Sequence, residues 1–74
     1  MTKPWRWELL DKREKQVALL YIEKNMKADA ICHELGIERT RIFQILGGIY
    51  RVLGVADQVE LAFEMGKHYK DIKR

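Results

Sequence analysis

Little in this chain staples or punctuates it. It holds one cysteine and one proline in 74 residues. A single cysteine excludes an intramolecular disulfide, and nothing points to an oxidising compartment. No apolar run approaches the roughly 18 residues that cross a bilayer. The opening stretch MTKPWRWELLDKREK has neither the apolar segment nor the small-residue cleavage site of a secretory leader. The expectation is a cytoplasmic protein away from membranes. Hairpin signals of the Asn-Gly or Asp-Gly kind are missing, as are internal repeats and low-complexity tracts. Chemistry-bearing sets are missing too. No Ser-His-Asp combination, glycine-rich phosphate loop or paired-carboxylate motif stands out. Cys32, His33 and His68 do not have zinc spacing, and Cys32 reads as a small buried thiol. The chain is therefore expected to be no enzyme, with no cofactor and no metal.

What is present fits one small domain, divided as an N-terminal arm over 1–8, a folded body over 9–70 and a tail over 71–74. So short a chain buries a modest core, so it depends on well-packed helices or a partner. The net charge is +3. Between residues 38 and 55, Arg39, Arg41 and Arg51 face Glu38 alone, whereas acids and bases balance from residue 56 onward. A mildly basic middle segment is a weak pointer to a polyanionic partner.

Periodicity points to four helices. Asp11, with Glu14 three residues on, has the spacing of a capping box, and Val17, Leu20, Tyr21 and Lys24 follow at helical intervals. KNMKA reads as a break. A short second helix covers about Ala28 to Leu35, with Ile31, Cys32 and Leu35 inward and Gly36 as its left-handed cap. A third runs from about Arg39 to Leu53, with Ile42, Ile45, Leu46, Ile49 and Leu53 inward and Gly54 behind it. A fourth spans about Asp57 to Lys70. It carries two apolar stripes: Val59, Ala62, Phe63 and Gly66, assigned to the core, and Leu61, Met65 and Tyr69, left for a partner. One stripe too many for a monomer predicts a homodimer through Leu61, Met65 and Tyr69, the alternative being that this stripe packs against Trp5 and Trp7 of the arm and leaves a monomer.

A short helix, a glycine turn and a longer helix that starts with basic residues follow helix-turn-helix logic. The pieces REKQV (Arg13–Val17), AICHELGI (Ala30–Ile37), LGV (Leu53–Val55) and QVELA (Gln58–Ala62) resemble the DNA-binding domain of LuxR/GerE-type regulators over about residues 9–69. LGIERTRIFQI (Leu35–Ile45) is equally similar to region four of the primary sigma factors. Both resemblances imply an all-α, four-helix helix-turn-helix fold, double-stranded DNA as partner and, for the LuxR type, pairing through the last helix. In these families exposed residues of the third helix touch DNA. Carried over, they are Arg39, Thr40, Phe43, Gln44 and Gly47.

The expected DNA contacts are Arg39, Thr40, Arg41 and Gln44, with Lys27 and Arg51 on the phosphate backbone. Phe43 and Gly47 depart from the family pattern, which places polar or basic residues there. Phe43 reads three ways: a thymine-methyl contact, an anchor for a protein, or a core residue. Gly47-Gly48 costs about 2 kcal/mol of helix propensity relative to two alanines, which implies close approach by DNA, by a partner or by another helix. Glu14 reads as structural. Trp5 and Trp7 either cap the bundle or, with Lys3 and Arg6, form a patch for a partner. The function expected is transcriptional regulation through DNA. Its rival is a small protein-binding adaptor or anti-activator that keeps the fold and uses the apolar third and fourth helices.

Overall fold

The computed structural model describes residues 5–68. Among these residues there are helices and no strands: α1 (Lys12–Ala18), α2 (Ala28–Leu35), α3 (Arg39–Leu53) and α4 (Gln58–Lys67). A 3-10 turn, Trp7–Leu9, precedes α1, and a π-helical turn, Leu19–Glu23, extends it.

Local chemistry accounts for half of the boundaries of α1 to α4. The Asp11 backbone N–H donates to Glu14 Oε1 at 2.9 Å, and the Glu14 N–H donates to Asp11 Oδ1 at 2.7 Å. This reciprocal pair is the capping box that the sequence spelled, and it satisfies two donors that a helix start leaves unpaired. Asp57 caps α4 in the simpler way, accepting from the Glu60 N–H at 2.9 Å. Gly36 and Gly54 end α2 and α3 with φ of +65° and +68°, a conformation in which a side chain would be strained.

The core is built on α3. Ile42, Ile45, Leu46, Ile49 and Leu53 are buried along one stripe, and α1 and α2 both pack against it. Val17, Ala18, Ile31, Val55 and Trp7 close the same cluster. α1 comes close enough that a Cβ at Gly48 would stand 3.2 Å from Glu14 Oε2. The close approach inferred for the glycine pair is, at Gly48, helix against helix. At Gly47 nothing lies within 4 Å.

Two features differ from expectation. The first is the π-turn. The Lys24 N–H reaches back five residues to Leu19 O at 3.1 Å, and the Met26 N–H reaches Leu20 O at 3.0 Å. Leu19, Leu20, Tyr21 and Ile22 are consecutive and all partly buried against the core. A regular helix, burying one face, could not bury four in a row. The wider turn lets this segment touch both α2 and α4. Asn25, at φ 54°, then turns the chain toward α2, a left-handed conformation that asparagine tolerates.

The second is the rotation of α4. Leu61 and Met65 were assigned to a partner, but they are 0% and 5% exposed and belong to the core. Val59 and Phe63, assigned to the core, are 78% and 64% exposed. Both stripes repeat every four residues, so periodicity leaves open which one turns inward. The turn after Gly54 decides it: Val55 is buried, its N–H bonds to Tyr50 O at 3.0 Å, and Asp57 caps the next helix. Tyr69, the third residue of the expected interface, lies outside the described residues. Outside, Lys67 Nζ sits 5.3 Å from the Phe63 ring centroid.

The tryptophans cap the bundle. Trp7 is buried, and Trp5 stacks on it with centroids 6.0 Å apart. On α4's end, the His68 ring stacks on Trp5 at 4.4 Å with the planes 5° apart. The Trp5 indole N–H is buried and has no hydrogen-bond partner among the described residues, and stacking on Trp7 and His68 holds its ring.

The α4 rotation has a direct consequence for stability. In dilute solution, where the domain is monomeric, Leu61→Ala is expected to cost about 2–5 kcal/mol, whereas Phe63→Ala should stay within about 0.5 kcal/mol of wild type. Thermal or urea melts of the two variants check this. Equal losses, or a larger loss at Phe63, would mean that the helix is turned the other way.

Candidate nucleic-acid interface

Burying one stripe of α3 forces the opposite one outward. At 3.6 residues per turn, Thr40, Gln44, Gly47 and Arg51 fall on the line facing away from the core. Thr40, Gln44 and Arg51 are exposed and Gly47 is half-buried. A helix of 15 residues carries this stripe. Its length, about 22 Å, matches what an element lying along a major groove needs.

The other expected contacts flank this line on two sides. Arg39 and Phe43 lie on the flank toward α2. Arg39 pairs with Asp29 of α2 at 3.2 Å, and its guanidinium lies 5.6 Å from the Phe43 ring centroid. Both partners of that ion pair are exposed, so it contributes little to stability and is open to exchange for another anion. Arg41 is exposed but lies on the opposite flank, seven residues before Gly48 and therefore toward α1. Lys27 occupies the N-cap position of α2, exposed and making no side-chain cap. It stands across a cleft from Phe43. Arg39 and Arg41 thus flank the line of Thr40, Gln44 and Arg51 on opposite sides, Arg39 with Lys27 on the α2 side and Arg41 on the α1 side.

The cleft itself was not legible from sequence. Its volume is about 310 Å³, and Tyr21, Asn25, Met26, Lys27, Ala28, Phe43 and Gln58 line it. Tyr21 of the π-turn and Asn25 and Met26 of the turn after it line the cleft together with Phe43 of α3. Tyr21 closes one end by donating its hydroxyl to Gln58 Oε1 at 3.1 Å. Beside it, burial, reinforced by Tyr21 and Asp57, pushes the Tyr50 phenol up to about 12, so this ring is a neutral, structural group at ordinary pH. The break at KNMKA was the sequence signal for this bend, and Asn25, left-handed at φ 54°, makes it.

Phe43 is 51% exposed. It is therefore no core residue, and its covered side lines the cleft and faces Arg39. Among the described residues no cluster of histidine, cysteine and carboxylate side chains could hold a metal ion. No helix among them is long and apolar enough to cross a membrane. No family model, curated protein or solved structure gives a significant match to this chain.

The glycine pair separates the two sides of α3. Gly47→Ala is expected to raise stability by up to about 1 kcal/mol, since the helix gains propensity and the methyl meets open space. Gly48→Ala should gain less or lose, because its methyl presses on a Glu14 carboxylate already committed to the capping box. Melting temperatures of the two variants check the order. A Gly48→Ala variant more stable than Gly47→Ala would show that α1 does not press on α3 there.

Proposed function

We propose that this chain is a DNA-binding transcriptional regulator of the helix-turn-helix class, of the LuxR/GerE type, with α3 in the major groove. The observation that carries this reading is the outward stripe Thr40, Gln44, Gly47 and Arg51, set behind a left-handed glycine turn from a short helix and free of large aliphatic side chains. Such a stripe has the form of a recognition helix, whose early residues meet base edges while the preceding helix crosses the backbone. Gln44 has the amide geometry to pair with adenine, and Arg39 to hold a phosphate or read guanine. Lys27, at the start of α2, lies where the free N–H groups of a helix favour a phosphate. Arg51 adds a backbone contact at the far end of the stripe. Arg41, exposed on the α1 flank, adds a contact on the other side of the stripe.

We place a homodimer on the outer face of α4. Val59, Ala62, Phe63 and Gly66 are exposed on it, and two of them are large apolar residues one turn apart. Pairing there would set two recognition helices in successive grooves, about 34 Å apart. The second reading, a protein-binding adaptor or anti-activator, is favoured by Phe43, Val59 and Phe63 together, each over half exposed.

Arg39→Ala and Gln44→Ala should weaken duplex binding without unfolding the domain. The Arg39 variant should lower the salt slope by about one unit, and the Gln44 variant should lose about 1–3 kcal/mol of sequence preference. Gel shifts at several salt concentrations measure both. Wild-type affinity and slope in both variants would remove these residues from the contact set, and no duplex binding by wild type at low salt would favour the adaptor.

For the dimer, sedimentation of wild type should show mass rising with concentration, while Phe63→Glu stays monomeric and folded. Wild type remaining monomeric at high micromolar concentration would rule the pairing out.

A further inference from the structure

Phe43 is the residue that polar readout does not absorb. It stands on the exposed side of α3, next to Gln44 and one turn before Gly47, with half of its surface in water. The core does not need it. Its ring is steadied on one side by Arg39, whose guanidinium is 5.6 Å from the centroid and is itself tied to Asp29 at 3.2 Å. Four residues on, nothing lies within 4 Å of the place where a Gly47 side chain would begin. Ring and bare backbone together form a low apolar step flanked by polar side chains.

In the major groove, the edges of guanine, cytosine and adenine are donors and acceptors, and thymine alone adds an apolar group, its C5-methyl. A phenyl ring over a hydrogen-bonding edge leaves that edge dry and unpaired, which costs free energy. Over a methyl group it gains contact and loses nothing. Gln44, adjacent in sequence, suits the adenine of a neighbouring A·T pair. We propose that Phe43, with the open backbone at Gly47, reads the C5-methyl group of thymine and selects A·T pairs under the second turn of α3. This inference rests on the DNA-binding reading above. The side chain's other use, anchoring a protein, is one of the outcomes of the test.

The test compares binding of alternating poly(dA–dT) and poly(dA–dU) duplexes, which differ only by that methyl group, by wild type, Phe43→Ala and Phe43→Leu. Circular dichroism melts confirm that each variant is folded, as an exposed position predicts. Burying one methyl group corresponds to roughly a fourfold change in affinity. Wild type is therefore expected to bind the thymine duplex about three- to tenfold more tightly than the uracil one. Phe43→Ala should bind the two equally, with its salt dependence kept, and Phe43→Leu should retain part of the preference. Equal binding of both duplexes by wild type, with a steep salt slope, would overturn the methyl reading and leave DNA binding standing. A preference that survives in Phe43→Ala would overturn it as well, since the methyl would then be read elsewhere or through duplex shape. Failure of wild type to bind either duplex at low salt would overturn the DNA-binding reading itself and make Phe43 part of a protein-binding surface.

Discussion

The buried stripe of α3 is the constraint from which the rest follows. Ile42, Ile45, Leu46, Ile49 and Leu53 lie on one side of a single helix, each at most 6% exposed. Fully burying such a side chain contributes about 1.5–3 kcal/mol, a large share of what so small a domain can gather. α1 and α2 have little apolar surface of their own, and they use it against this stripe. With that side committed, the other side of α3 is fixed in water. It must then be built from residues that tolerate solvent: Thr40, Gln44 and Arg51 at its centre, Arg39 and Arg41 on its flanks. The proposed contact surface is thus the complement of the core.

Close packing on that stripe also explains a costly sequence. A glycine pair in mid-helix loses about 2 kcal/mol of propensity relative to alanine. Gly48 answers to the interior, since it lets the capped start of α1 lie against α3 with Glu14 Oε2 only 3.2 Å from the missing Cβ. Gly47 answers to nothing inside the domain, because no atom stands within 4 Å of its missing side chain. One glycine serves the fold, and the other leaves backbone bare on the face proposed to meet DNA. The short stretch GIERTRIFQILGGIY therefore carries the core on one side of its helix and the proposed contact surface on the other.

The parts legible in the sequence are those decided locally. Asp11 with Glu14, Gly36 and Gly54 each act through their own backbone neighbourhood, and α1 begins and α2 and α3 end where those signals place them. α3 was legible for a further reason, since its apolar residues form one stripe and leave no choice of face. α4 offered two stripes of equal period, and its rotation came from the turn at Gly54–Asp57 and from Val55 packing beneath it. The π-turn has no periodicity of its own, because one wider turn shifts the register without altering composition. The cleft beside Phe43 follows from that turn and was hidden with it. The exposed polar residues of α3 could be named from the sequence, whereas which flank faces α1 and which faces α2 needed the packing of those helices.

The central claim is that the outward stripe of α3, with the start of α2, is the surface that meets duplex DNA. Amide chemical-shift mapping tests it most directly, by titrating isotope-labelled protein with a short A·T-rich duplex at low salt. The account predicts perturbations concentrated at Lys27 and Ala28 and along residues 39–51, with the α4 core residues Leu61 and Met65 undisturbed. A spectrum unchanged at saturating duplex, or changes confined to the outer face of α4, would contradict it.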